Sequence, residues 1–223
     1  MVSTYPPASP AVPASHVDAA AVAARFARRE TAVDRLAADA ATIARTCQAM
    51  AERFHRGGTL FVFGNGAAAT DAAHVAVEFI HPVIVGKRAL PAVALTADVS
   101  TLTGVAGRVG FSEVFAHQLR LLAGPDDLAL GISPDGNCAN VLRALEVGRD
   151  RGLLTVAMVG GDGGAIAASP AVAHVLTAGS ADPRVIKEVQ VTTYHILWEL
   201  VHVWFSQLAT PAVERAVPQG ATP

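Results

Sequence analysis

The chain has 223 residues, with 17 Lys and Arg against 19 Asp and Glu and a formal net charge of −2. Hydrophobic residues make up 52% and charged residues 16%, which suits one domain with a substantial core and excludes a disordered chain. The near-neutral balance gives no sequence-independent pull toward nucleic acid, and no apolar run is long enough for a membrane span. Cys47 and Cys138 lie far apart and form no CxxC pair, so neither a disulfide framework nor a zinc-thiolate site is expected. The Pro/Ala/Ser-rich N-terminus lacks a basic n-region and an apolar h-region. A cytoplasmic protein is expected, with tails over 1–16 and 209–223 around a single domain over 17–208.

From Val17 to about Arg56 the sequence is Ala-rich, free of Gly and Pro, and apolar at helical spacing. Val33, Leu36, Ala37, Ala40 and Ile43 are expected on one face of one long helix or of two in tandem, ending at Gly57-Gly58. Short apolar runs follow at Thr59–Phe63, Ala92–Leu95, Leu128–Ile132, Leu153–Val159 and Val172–Leu176. Helical patterns separate them at Thr70–Ile80, Ser112–Leu122, Cys138–Arg151 and near Ala165, and a last one runs from Val185 to Leu208. Continuous apolar strands alternating with helices predict an α/β fold: a doubly wound, parallel five-stranded sheet with an N-terminal helical arm.

In such sheets ligands bind beyond the carboxyl ends of the strands. Two glycine-containing junctions stand there, Gly64-Asn65-Gly66-Ala67-Ala68 and Ser133-Pro134-Asp135-Gly136-Asn137-Cys138. Neither is a GxGxxG or Walker A loop, so no nucleotide cofactor is expected. The first opens a helix bearing His74-x-x-x-Glu78, whose two side chains share a face. His195 stands on the last helical stretch, seven residues after Glu188. Two imidazoles and a carboxylate can hold a metal ion with open positions or act as a general acid/base set.

Together with Ala94–Ser100, Gly110-Phe111, Val114-Phe115, Ala139-Asn140-Val141, Gly161–Gly164, Glu188 and His195-Ile196-Leu197, these motifs resemble the phosphoheptose isomerase branch of the sugar isomerase (SIS) superfamily. The resemblance covers about Val17 to Leu208. It implies a homotetramer acting on a phosphorylated sugar, isomerising sedoheptulose 7-phosphate to a heptose 7-phosphate. It assigns Glu78 and His195 as the catalytic acid/base pair and His74, Glu78 and His195 as residues able to bind zinc. Asn65, Gly66, Asp98, Ser133, Asp135, Asn137 and Lys187 are its substrate-contacting positions.

Departures from the pattern bear on the chemistry. Lys187 stands where the family has a glutamine that helps bind metal or substrate, and a charged Lys has no acceptor. The expectation is that its ammonium sits where the metal charge would be, giving a metal-free or weakened site. The family's GNGGS reads Gly64–Ala68 here, without its serine. In STSGNS only Ser133 keeps a hydroxyl, and Asp135 brings negative charge where phosphate should bind. A family Asn-Asp is Gly107-Arg108, and an arginine after the catalytic helix is Pro82. Lys87, Arg88, Arg108 and Arg184 are the cations that could compensate. The competing reading is a non-catalytic sugar-ligand sensor or oligomeric adaptor of the replication-initiator-associating type.

Overall fold

The protein is described by a computed structural model over residues 18–209. The tails expected over 1–16 and 209–223 lie outside the described residues, except for Ala209, which ends the last helix. No helix among the described residues is long and apolar enough to cross a membrane.

The N-terminal arm is two helices in tandem, α1 (Ala19–Ala38) and α2 (Ala40–His55). Asp18 caps α1 by accepting from the Ala21 N–H at 2.7 Å. The backbone of Asp39 (φ −92°, ψ 21°) leaves the helical region and separates the two. The expected apolar face is nevertheless partly wrong, because packing centres the buried stripe on Ala32 and Leu36 and leaves the neighbouring positions outside it. Ala32, Leu36, Ile43, Cys47, Met50, Ala51 and Phe54 are buried, whereas Val33, Ala37 and Ala40 face outward. Burial also pushes the Cys47 thiol up to about 12, which keeps it protonated and unreactive.

Five parallel strands form the sheet: β1 (Leu60–Gly64), β2 (Ala92–Ala94), β3 (Leu128–Ser133), β4 (Leu154–Val159) and β5 (His174–Thr177), in the order β2-β1-β3-β4-β5. Val62 pairs with Ala94 on one side and Leu130 on the other, and Met158 pairs with Leu176. Side chains alternate between two cores. Leu60, Val62, Leu130, Val156 and Met158 meet α2, α3 (Ala67–Ile80) and α8 (Pro183–Ala209). Phe61, Phe63, Ala129, Ala157 and Val159 meet the helices of the other face. These are α4 (Val99–Arg108), α5 (Val114–Leu122), α6 (Ala139–Asp150) and the short α7 (Gly164–Ala168). Because both faces are covered, the strands read as unbroken apolar runs.

Helix α4 was not expected from the sequence. Its stretch VSTLTGVAGR is β-branched and glycine-containing, a composition of low helix propensity. The missed signal is its cap: Asp98 accepts from the N–H groups of Ser100 and Thr101 at 3.0 and 3.1 Å. Other boundaries shift by a few residues. A 3-10 turn at Phe111–Glu113 precedes α5, and β5 starts at His174 rather than Val172.

The chain reverses direction across the sheet between β1 and β3, and the two glycine-containing junctions flank that point. Gly136 holds φ at +73°, and a Cβ there would collide with the backbone carbonyl of Gly163. Gly136→Ala is therefore expected to cost at least about 2 kcal/mol, combining left-handed strain with backbone displacement. A chemical-denaturation midpoint equal to that of the wild type would contradict this packing.

Candidate active site

Helices α3 and α8 run side by side, and three hydrogen bonds join them at one constant sequence offset of 120 residues. The Lys187 ammonium donates to the Ala67 carbonyl at 2.9 Å, the Tyr194 hydroxyl meets His74 Nδ1 at 2.9 Å, and Trp198 Nε1 donates to the Glu78 carbonyl at 2.8 Å. A constant offset means that the helices are parallel and in register. The spacing of His74 and Glu78 along α3 is thereby matched to that of Tyr194, His195 and Trp198 along α8.

This register brings the expected trio together. One ligand atom each of His74, Glu78 and His195 lies within 4.8 Å of the others. His74 Nε2 is 3.2 Å from Glu78 Oε1, and the His74 and His195 rings stand edge to face at 5.3 Å. Glu78 is largely sheltered, its side chain 12% exposed, while His74 opens to solvent at 44%. A cleft of about 430 Å3 adjoins the pair Glu78 and His195, walled by Val83, Ile84, Lys87 and Trp198. Its size is in the range of small-molecule sites.

Tyr194 is the buried support of this trio. It is 2% exposed, and its ring packs on both imidazoles. Burial, with the carboxylates of Asp71 and Glu78 nearby, pushes its hydroxyl up to about 12. The hydroxyl stays protonated and fixes the Nδ1 side of His74, leaving Nε2 toward Glu78. His202, one further turn along, is buried and held by the Trp198 and Arg88 carbonyls.

Lys187 does not stand free. Its ammonium forms an ion pair with Asp71, whose side chain is 5% exposed, in addition to its bond to Ala67. Glu188, on the stripe expected to continue to His195, instead points to α1. There Arg29 grips both its carboxylate oxygens, the Nη2 contact being 2.8 Å.

The remaining expected contacts are arranged around the two junctions. Asn65 and Asn140 exchange amide hydrogen bonds of 2.7 and 2.8 Å, closing the gap between α3 and α6. Gly66 holds φ at +56° at the mouth of α3. Ser133 accepts from the Gly136 N–H at 3.0 Å. Asp135 Oδ1 accepts from the Asn137 N–H at 2.9 Å and from the Ser133 hydroxyl at 3.3 Å. Asn137 in turn accepts from Ala165 N–H at 3.1 Å. Asp98 is not part of the Glu78 cleft. It caps α4, and its hydrogen bonds with Thr101 and Ser100 hold its carboxyl below the usual range.

The four candidate cations separate clearly. Arg184 is bound to Asp182 through two nitrogens at 3.0 and 2.9 Å. The Arg88 guanidinium lies 5.2 Å from the Phe205 ring centre. Arg108 borders a different depression, with Thr101 and His117. Lys87 alone reaches the cleft of Glu78 and His195.

The SIS domain profile matches residues 15–160. The phosphoheptose isomerase of Chlorobaculum tepidum is 42% identical over 166 residues, 73% of this chain and 78% of that protein. That of Thermodesulfovibrio yellowstonii is 34% identical over 79% of this chain and 86% of that protein. The chain belongs to the SIS domain family, in its phosphoheptose isomerase branch. The solved phosphoheptose isomerase of Francisella tularensis superposes on this SIS domain with a TM-score of 0.77. It is 30% identical, and the match covers 82% of this chain and 96% of that one. For the Neisseria gonorrhoeae enzyme the values are 0.74, 31%, 81% and 96%.

Two supports of the SIS domain site escaped the sequence reading. Tyr194 precedes His195 directly, but nothing in sequence says that its hydroxyl turns toward α3. Gln190 is 4% exposed and donates to the Ser133 and Met158 carbonyls at 3.0 and 3.2 Å, fastening α8 to the ends of β3 and β4. A buried glutamine one turn before Tyr194 on an otherwise apolar face was the available signal.

Proposed function

We propose that this SIS protein is an aldose–ketose isomerase of sugar phosphates, of the sedoheptulose 7-phosphate type. The observation that carries the reading is the meeting of His74, Glu78 and His195 beside a cleft of suitable size. Relatives named phosphoheptose isomerase support it, and with the trio retained the adaptor alternative is not favoured.

Isomerisation moves a proton between neighbouring carbons. The Glu78 carboxylate takes the proton from the carbon beside the carbonyl, and the His195 imidazole delivers one to the carbonyl oxygen. The product of that step is an enediol. Return of the proton to the other carbon, with removal of one from the other oxygen, gives the isomeric sugar. The Trp198 indole holds Glu78 by its backbone, Tyr194 holds His74, and the His195 ring packs against both Tyr194 and His74 before substrate arrives.

The same donor set fits zinc: two imidazoles and one carboxylate, with His74 already bonded through Nδ1 so that Nε2 is the ligating atom. A zinc ion held there by His74, Glu78 and His195 would polarise the substrate carbonyl. Lys187 would contribute no ligand, because its ammonium belongs to Asp71, so the site would offer three protein ligands and an open position. Tyr194→Phe keeps the packing ring but frees His74 Nδ1. It is expected to weaken zinc binding roughly tenfold in chelator competition, and unchanged affinity would remove Tyr194 from the site. A homotetramer and a cytoplasmic location complete the proposed picture.

The direct test is turnover of sedoheptulose 7-phosphate, with and without added zinc. Interconversion with a heptose 7-phosphate is expected. Absence of any conversion under both conditions overturns the reading.

A further inference from the structure

A sugar phosphate brings a dianion that the protein has to hold. At the turn between β3 and α6 three of the donors for it are already engaged. The Asn137 N–H and the Ser133 hydroxyl both serve Asp135 Oδ1, and the Gly136 N–H serves Ser133 Oγ. An internal carboxylate thus occupies the place of the anion, and a phosphate entering there would meet its charge. At the β1–α3 turn the Asn65 amide is likewise closed on Asn140.

The cleft beside the acid/base pair instead places a cation on its wall. Lys87 is the only Lys or Arg among the described residues that line it, and its ammonium makes no ion pair there. Its wall also includes two carboxylates, Glu78 and Glu199, so the lysine is the one group there that can offset the charge of an incoming anion. The backbone around Lys87 is held from several sides. The Leu90 N–H donates to Phe79 at 2.8 Å, the Lys87 N–H to Ile84 at 3.2 Å, and the Arg88 carbonyl meets His202 Nε2 at 2.9 Å. Pro82, which stands in the same loop, cannot supply the charge an arginine would.

We propose that Lys87 receives the anionic group of the substrate in the Glu78–His195 cleft, in place of the turn after β3 that Asp135 closes. Lys87 is then the residue that sets specificity for an anionic sugar. The inference rests on the isomerase reading for the identity of the sugar, but the anion can be tested separately.

The experiment compares wild type, Lys87→Met and Lys87→Arg with sedoheptulose 7-phosphate as substrate and inorganic phosphate as competitor. Lys87→Met is expected to raise KM roughly tenfold with little change in kcat, and to weaken inhibition by phosphate by a similar factor. Lys87→Arg keeps the charge and is expected to retain both. Equal KM and equal phosphate inhibition in Lys87→Met and wild type would overturn the proposal. So would an equally deep loss in Lys87→Arg, which would trace the effect to the loop rather than the charge. If the wild type does not turn over this sugar, the isomerase reading fails alone, and thermal stabilisation by inorganic phosphate decides Lys87. A phosphate-induced rise in Tm that Lys87→Met abolishes upholds the proposal. The same rise in both proteins, or none in either, overturns it.

Discussion

Glu78→Gln is expected to lower kcat at least roughly a hundredfold while leaving KM nearly unchanged. The amide matches the carboxylate in size, and the main-chain carbonyl of residue 78 still accepts from Trp198, so the α3–α8 seam is preserved. What disappears is the group able to take a proton from carbon. The amide oxygen can still accept from His74 Nε2, which stands 3.2 Å from Glu78 Oε1 in the wild type, and the ring keeps its anchor on Tyr194. Steady-state kinetics on the variant, with a thermal melt to confirm the fold, reads the effect. A kcat within a few-fold of wild type would take Glu78 out of the mechanism.

Lys187→Met is expected to destabilise the protein by about 3 kcal/mol, because it leaves the Asp71 carboxylate buried without its cation. The side chain of Lys187 is 36% exposed against 5% for Asp71, so most of the cost falls on the acid. The companion change Asp71→Asn in the same chain removes that orphaned charge, and the double variant is expected to recover most of the loss. A double-mutant cycle by urea denaturation measures the coupling. Additive effects of the two changes would mean that the pair contributes nothing. The pair also explains why the lysine is tolerated beside the trio: its charge is neutralised one turn of α3 away from His74.

Much of the architecture is legible in the sequence, for physical reasons. Strands such as Leu60–Gly64 and Leu128–Ser133 are buried on both faces and show as unbroken apolar runs. His74 and Glu78 announce themselves because a four-residue spacing has one meaning on a helix. Helix α4 was hidden because its composition disfavours a helix, and the Asp98 cap and the packing of Leu102, Val105 and Ala106 specify it. The apolar face of the N-terminal arm was misjudged because an Ala-rich helix carries apolar residues on several sides, and only tertiary packing selects the side of Ala32 and Leu36.

Charge placement was the least legible layer. The sequence puts Lys187 on the same helix as His195, yet whether its ammonium meets a metal site or Asp71 depends on the pairing of α3 with α8. That pairing comes from tertiary packing. The same holds for Glu188, which the register of α1 against α8 draws to Arg29 and away from the trio. Asp135 was visible as a foreign charge in a phosphate loop, but its capture of the Ser133 and Asn137 donors is a property of the folded turn. Lys87 stood as one of four equivalent cations until the loop was seen to lie against the cleft.

The central claim, that Glu78 moves a carbon-bound proton, is tested most directly by solvent exchange. Sedoheptulose 7-phosphate incubated with the protein in deuterium oxide is followed by proton NMR for loss of the signal at the carbon beside the carbonyl. The account predicts deuterium uptake there with wild type and a loss of that uptake, at least roughly a hundredfold in rate, with Glu78→Gln. Exchange at the wild-type rate in Glu78→Gln would contradict it.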